Sequence, residues 1–287
     1  MRRLPGRIAI VLSSLIGLGL VAYAVVYVVS ERVGHRTYSY PTTSKPIVLP
    51  TDSGAIREGQ RLSTIHGCLG CHGAQAQGTV LLDDPLLARI VAPSLTAAVR
   101  KYTDPELVTI IRYGVRPDGH SVAVMPSQTF TLLSDQDLGQ IIAFLKSLPA
   151  APGLVPSMSP GPLARIGVAF RKFKPIAELV ADAPAPPQAS GDQATFGRYL
   201  ALTACAQCHG PALRGESHPG DVAPSLQVVA AYSPEDFGRL MRTGVAVGGR
   251  KLGLMGAWAR DNLSQLTDAE IAALYSYLHA LPASPSN

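Results

Sequence analysis

The sequence is short of charge, of aromatic residues and of cysteine. Only 16% of its 287 residues are Asp, Glu, Lys or Arg, 6% are aromatic with a single Trp, and there are four Cys. Four Cys in a chain of this length exclude a disulfide-stapled scaffold, so their use has to be read from their spacing. The formal charge of +5 does not mark a nucleic-acid binder. Arg2, Arg3, Arg7, Arg32 and Arg36 against Glu31 place +4 within residues 1–36, and the other 251 residues carry 20 basic and 19 acidic groups. That balance leaves no basic stripe for phosphates. Hydrophobic residues make up 47%, which excludes a wholly disordered or collagen-like chain. The length exceeds a single domain of roughly 100–150 residues.

From Ile8 to Val29 there are 22 residues without a charge. A helix over this run is roughly 33 Å long, enough to cross a hydrocarbon core of about 30 Å. The three arginines ahead of it keep the amino terminus in the cytoplasm by the positive-inside rule. Residues 1–36 therefore read as a single-pass anchor in the cytoplasmic (inner) membrane, with the rest of the chain on the periplasmic side. Ala22-Tyr23-Ala24 offers the competing reading of a signal-peptide cleavage site. Against it, the apolar run continues to Val29, beyond a signal core of roughly 7–15 residues.

All four Cys fall in two identical frames, Cys68-Leu69-Gly70-Cys71-His72 and Cys205-Ala206-Gln207-Cys208-His209. C-x-x-C-H is the attachment pattern of haem c, because two thiols at this spacing reach the two vinyl groups of one porphyrin and the next His faces the iron. A thioredoxin-like pair does not need that His, and a zinc site needs a second ligand pair that neither frame has. Cys68, Cys71, Cys205 and Cys208 thus read as attachment points, and His72 and His209 as iron ligands. A longer repeat surrounds the frames. Ala92-Pro93-Ser94-Leu95 recurs as Ala223-Pro224-Ser225-Leu226, Arg112-Tyr113-Gly114-Val115 as Arg242-Thr243-Gly244-Val245, and Leu133-Ser134-Asp135 as Leu266-Thr267-Asp268. Ser134 and Thr267 are expected to be helix N-caps. The units span 52–150 and 192–284, joined by a Pro/Ala-rich linker at 151–191. Within it, residues 163–180 read either as a short helix packed across both units or as a solvated basic segment. From His72 to Ala92 there are 20 residues, against 14 from His209 to Ala223. This longer loop reads as a neutral insertion or as a docking surface.

Each unit resembles a class I cytochrome c domain, and the whole resembles membrane-anchored dihaem cytochromes c of bacterial respiratory chains. The resemblance implies an all-α fold: two tandem cytochrome c-like helical domains preceded by one N-terminal transmembrane helix, with two covalently bound haem c. It implies that the first and last helices of each unit cross at small residues, Gly59 with Phe144 and Gly197 with Tyr277. It also implies that each proximal His gives its other ring N–H to a proline carbonyl, matched here by Pro93 and Pro224, and that a Met is the distal ligand. The repeat register selects which Met: Gly114 to Met125 and Gly244 to Met255 are both 11 residues, and no other methionines pair. Met241 reads as core, and Met158 has no counterpart. Met255 departs from the family pattern in being followed by Gly256, where Met125 has Pro126. Of the spare histidines His35, His66, His120, His218 and His279, none repeats, and only His120 is kept as a substitute ligand. Trp258, Tyr102, Tyr232, Arg112 and Arg242 read as propionate contacts or as packing groups.

An iron held by both His and Met has no open position, so the chain reads as an electron-transfer protein with no catalytic residue. The expected role is a single-electron relay, as a free carrier or as the cytochrome subunit of a dehydrogenase or oxidase complex. Expected partners are a quinol-oxidising complex or periplasmic dehydrogenase, and a terminal oxidase or soluble cytochrome. The alternative is a dihaem enzyme, such as a cytochrome c peroxidase or a thiosulfate dehydrogenase. That chemistry needs a distal position able to fall vacant, and the matched methionines argue against it.

Overall fold

The computed structural model describes residues 4–40, 46–150, 153–218 and 221–282. Arg2 and Arg3 lie outside the described residues. An apolar helix, Leu4–Gly34, comes first. Its stretch Ile8–Gly34 is long and apolar enough to cross a membrane.

In the first unit, helix Ser53–Ile65 starts where the Asp52 carboxylate accepts the Ala55 N–H at 2.8 Å. It enters the Cys68–His72 turn through Gly67, a left-handed residue at φ +73°. Helices Leu95–Lys101, Asp104–Tyr113, Ser127–Phe130 and Asp135–Ser147 follow. In the second unit, helix Gln193–Leu200 runs through a π-helical turn, Ala201–Cys205, into Ala206–His209. A 3-10 turn, Leu226–Ala231, and helices Pro234–Thr243, Gly253–Asp261 and Asp268–His279 complete it. Gly59 to Cys68 is nine residues and Gly197 to Cys205 is eight. One unit absorbs the difference as a left-handed glycine, the other as a wide helical turn. The expected caps are present: Ser134 Oγ accepts the Asp137 N–H at 3.0 Å, and Thr267 Oγ1 accepts the Glu270 N–H at 3.2 Å.

The first and last helices of each unit cross with no room for a side chain. A Cβ on Gly59 would lie 1.9 Å from the Gln140 carbonyl oxygen and 3.0 Å from Phe144 Cβ. One on Gly197 would lie 2.1 Å from the Ala273 oxygen and 2.8 Å from Tyr277 Cβ. Around these crossings Leu62, Leu107, Leu138 and Ile142 pack in the first unit, and Leu200, Phe237, Leu263 and Leu274 in the second. The second core also takes in Ile65 and Leu132 of the first unit, both at most 2% exposed. The apolar interior of the second unit therefore extends into the first.

The linker is more ordered than its composition implies. Strand Ser157–Pro160 pairs antiparallel with Ala88–Ala92, which pairs in turn with Thr79–Asp84. The extra length after His72 is thus a hairpin that recruits the linker as a third strand, with Pro160 on an edge where a missing N–H is tolerated. The corresponding loop of the second unit makes only the short pair Glu216–His218 and Asp221–Ala223. Residues 163–180 do not form one helix across both units. A turn at Arg171, φ +57°, separates helix Pro162–Ala169 from helix Ile176–Ala181. The former packs on the anchor helix, the latter against Ser127–Phe130 and Asp104–Tyr113 of the first unit.

Replacing Gly59 or Gly197 by Ala is expected to destabilise the fold by at least about 3 kcal/mol, because backbone and not a flexible side chain blocks the new methyl group. Gly238→Ala, with nothing within 4 Å of the added atom, should be neutral or stabilising by about 0.5–1 kcal/mol. Thermal unfolding of the three variants checks the contrast.

Candidate haem sites

After each C-x-x-C-H segment the chain folds back in the same way. Gly78 N–H donates to the His72 oxygen at 2.7 Å, and Gly215 N–H to the His209 oxygen at 3.0 Å. Ala76 and Leu213 both adopt φ +57°, and their carbonyls accept the N–H groups of Leu95 and Leu226 at 2.8 and 2.9 Å. The chain thereby returns over each His and presents a proline carbonyl to it. His72 Nδ1 lies 2.8 Å from the Pro93 oxygen, and His209 Nδ1 lies 2.8 Å from the Pro224 oxygen. Carbonyls only accept, so each Nδ1 carries the proton and each Nε2 keeps the lone pair that a metal would need. Burial holds the His72 imidazole below its ordinary pKa, against the opposing pull of Pro93, which favours the neutral ring that a metal needs. Burial also pushes the Cys68 and Cys205 thiols up to about 12. A redox pair of the thioredoxin kind works with a lowered thiol pKa, so these sites are unlike one.

The paired methionines sit on equivalent loops. Bridges Val115 to Ser121 and Val245 to Lys251 keep the register between the units. Gly114 and Gly244 end their helices left-handed, at φ +65° and +70°. Met125 and Met255 are half-buried at the edge of the first and second cores respectively. Their local settings differ. Met125 precedes Pro126 and the short helix Ser127–Phe130, whereas Met255 lies inside Gly253–Asp261. A Cβ on Gly244 would meet the Gly256 oxygen at 2.1 Å, which accounts for Gly244, and one on Gly256 would lie 3.0 Å from the Gly244 oxygen, a tight fit for any side chain after Met255. Met241 is buried in the core as expected, and Met158 is 45% exposed.

Arg112 and Arg242 fasten the start of each last helix. Arg112 bonds the Leu133 oxygen and Asp135 at 2.7 and 2.8 Å, and Arg242 bonds the Ser264 oxygen and Asp268 at 2.7 and 2.6 Å. Tyr102 and Tyr232 pack at the edges of the two cores, and Tyr275 Oη donates to the Tyr232 carbonyl at 2.9 Å. His120 lies 3.3 Å from Asp118 and its backbone bridges Thr37, while His35 pairs with Glu31. His279 lies against Tyr275. The side chain of His218 lies outside the described residues.

The units meet through side chains that no sequence motif marks. Arg61 makes two bonds to the Glu270 carboxylate, at 2.7 and 2.8 Å, and one to the Gln265 oxygen at 3.0 Å. Tyr199 Oη donates to Asp137 and accepts the Ser134 N–H at 3.1 Å. In the repeat register Arg61 matches Tyr199 and Glu270 matches Asp137, so these are one contact made twice, as in a two-fold dimer. The two sides are tuned differently. Burial pushes Glu270 upward, but the Arg61 bonds and the Thr267 N–H outweigh it and leave the carboxyl below its ordinary value. Burial raises Asp137 and Tyr199, which keeps the phenol protonated. Between them His66, 4% exposed, puts Nδ1 3.3 Å from the Thr203 oxygen. Trp258 completes the contact. A Cβ on Gly67 would lie 2.3 Å from Trp258 Cη2, so the indole lies against the residue preceding Cys68. It is three residues beyond Met255 on one helix. A single sequence holds no signal for these contacts beyond the register that makes their partners equivalent.

Arg61→Ala should weaken the interface by roughly 2–3 kcal/mol, somewhat less than a fully buried pair because Arg61 is 20% exposed. Earlier proteolysis within 183–191 in that variant than in the parent chain checks it. Burial lowers the His66 pKa from 6.5 to about 4, with the Thr203 oxygen and Glu270 opposing and Arg61 adding to the fall. The unfolded chain therefore takes up a proton that the folded chain refuses. Stability is complete above about pH 6.5 and is lost toward pH 4, at up to about 1.4 kcal/mol per pH unit. Unfolding measured across that window should show the slope, and His66→Gln should flatten it.

The cytochrome c family profile matches residues 56–149 and again 194–282. Among curated proteins, the chain is 24% identical over 283 residues to the fructose dehydrogenase cytochrome subunit of Gluconobacter japonicus, covering 87% of this chain and 57% of that one. It is 24% identical over 274 residues to the cytochrome c subunit of alcohol dehydrogenase (quinone) from Gluconacetobacter polyoxogenes and from Komagataeibacter europaeus, covering 82% of this chain and 57% of theirs. The chain thus spans a little over half the length of these relatives. The profile falls on both C-x-x-C-H units and on most of the chain: the chain belongs to the cytochrome c family, whose domains carry covalently bound haem c.

Proposed function

We propose that this chain is a membrane-tethered dihaem cytochrome c that relays single electrons as the cytochrome subunit of a periplasm-facing dehydrogenase. The observation that carries the proposal is the duplication of a complete donor set, two Cys, a His oriented by a proline carbonyl and a register-matched Met, in units docked through equivalent residues. The donors fit the group. Cys68 and Cys71 would hold one haem and Cys205 and Cys208 the other, with His72 and Met125, and His209 and Met255, as ligands. Bound haem c supplies a reversible one-electron change at iron. The protein's part is to orient each imidazole through Pro93 or Pro224 and to offer a weak thioether donor that favours the reduced state. Filling both axial positions leaves no place for substrate, so no residue is assigned to catalysis. The packing of Gly67 on the Trp258 indole offers electrons a protein route between the two sites. The reading as a subunit rather than a free carrier draws on the relatives, each of which is named as the cytochrome subunit of a dehydrogenase.

Extraction in mild detergent should recover the chain with a dehydrogenase, and sugar or alcohol substrates should reduce its c-type absorption in membranes. A chain that purifies alone and stays oxidised with every such substrate overturns the subunit reading. Met125→Ala and Met255→Ala should each lower one of two midpoint potentials and open one haem per chain to carbon monoxide. A variant whose spectrum and carbon monoxide binding match the parent removes that methionine as a ligand.

A further inference from the structure

The linker holds an apolar surface that the relay does not use. Helix Pro162–Ala169 is tied to the end of the anchor helix by Arg165. Its Nη1 lies 2.6 Å from Glu31 and 2.9 Å from Ser30 Oγ, and its guanidinium lies 4.1 Å over the Tyr27 ring. Tyr27 to Glu31 covers about 6 Å of helix axis. The apolar run ends between them at Val29, so Arg165 marks the depth at which apolar sequence gives way to charge. At this level Leu163, Ile166 and Phe170, spaced on one face of the helix, are 50, 40 and 70% exposed. Phe173, 51% exposed, folds back so that its ring would lie 2.4 Å from a Cβ on Gly167. Leu86, 59% exposed at the hairpin tip, joins them, its carbonyl accepting the Leu163 N–H at 3.0 Å. Phe170 and Phe173 are the only exposed phenylalanines among the described residues. Lys172, exposed, stands between them.

We infer that helix Pro162–Ala169 and the turn after it are a second membrane contact, lying in the headgroup region with Leu163, Ile166, Phe170 and Phe173 in the acyl boundary. The inference rests on the reading of Leu4–Gly34 as a membrane span. An apolar face with aromatic side chains and adjacent cations is the composition of an interfacial helix, and the Arg165 clamp sets it at the matching depth. Lys172 reaches lipid phosphates while its stem stays apolar. Two contacts, one spanning and one lying flat, remove the freedom of the first unit to swing about a single helix.

The test uses the full-length holoprotein in lipid nanodiscs. With the native thiols taken up by haem, a cysteine introduced at one site carries a nitroxide label whose relaxation by oxygen and by a water-soluble nickel chelate is compared. Subtracting the sample without either agent removes the contribution of the iron, and haem content per chain reports that each variant is folded. Labels in Phe170→Cys and Phe173→Cys should be relaxed preferentially by oxygen, with an oxygen-to-nickel ratio several-fold above that of the exposed control Glu235→Cys. A ratio equal to that control overturns the inference, as does protection from both agents, which would mean a protein covers the patch. Val21→Cys tests the underlying reading separately. A nickel-accessible label there overturns the span itself, whereas an oxygen-rich label at 21 with a nickel-accessible one at 170 overturns only the second contact.

Discussion

Two helices in each unit cross so closely that their backbones touch, and much of the architecture follows from that contact. At Gly59 the neighbour is the carbonyl of Gln140, and at Gly197 it is that of Ala273. Any side chain would drive the helices apart. With the crossing fixed, the residues that follow have defined directions. Arg61 and Tyr199, two residues on, face the other unit, and within three further turns the chain reaches Cys68 or Cys205. The same helix that locks the fold therefore delivers the haem motif and builds the interface.

Because the units are copies, an interface between equivalent positions satisfies both sides with one geometry. Arg61 with Glu270 and Tyr199 with Asp137 are that geometry realised by different chemistry, one an ion pair and the other a phenol on a carboxylate. The asymmetry has a physical consequence. A buried Arg–Glu pair needs full hydrogen bonding to offset its desolvation, and Arg61 has it from Glu58, Glu270 and the Gln265 oxygen. The phenol side exposes no full positive charge to burial and leaves room for the apolar contact of Ile65 and Leu132 with the second core. His66, buried, and Trp258, packed on Gly67, fill the remainder.

The segment after the first unit has two tasks that a plain tether would not perform. Its strand completes a sheet on the hairpin after His72, and Ile176 packs against Gly114 beside the Met125 loop. Glu178 meanwhile gathers Arg36, Tyr38 and Arg171, joining the chain that leaves the anchor to the helix that closes the first unit. The first C-x-x-C-H unit is thus braced from the side of the N-terminal helix, while the second is braced chiefly by the first unit.

The sequence by itself determined the haem-attachment motif and its duplication. Cysteine spacing, an adjacent His, and an 11-residue interval to each Met are local or repeated, so they survive without coordinates, as do the caps at Ser134 and Thr267 and the crossings at Gly59 and Gly197. The all-helical class was legible too, although the small sheet was not, since its third strand comes from Pro-rich sequence that carries no strand pattern. Tertiary structure alone decided how the units face each other, which side chains sit between them, and that residues 163–180 break at Arg171 and dock on the anchor helix and the first unit. Those outcomes depend on side chains up to about 200 positions apart, such as Arg61 and Glu270, whose attraction exists only after both cores have formed. Arg112 and Arg242 show the same limit. Their repetition marked them as significant, but only the fold reveals that they hold the start of the last helix.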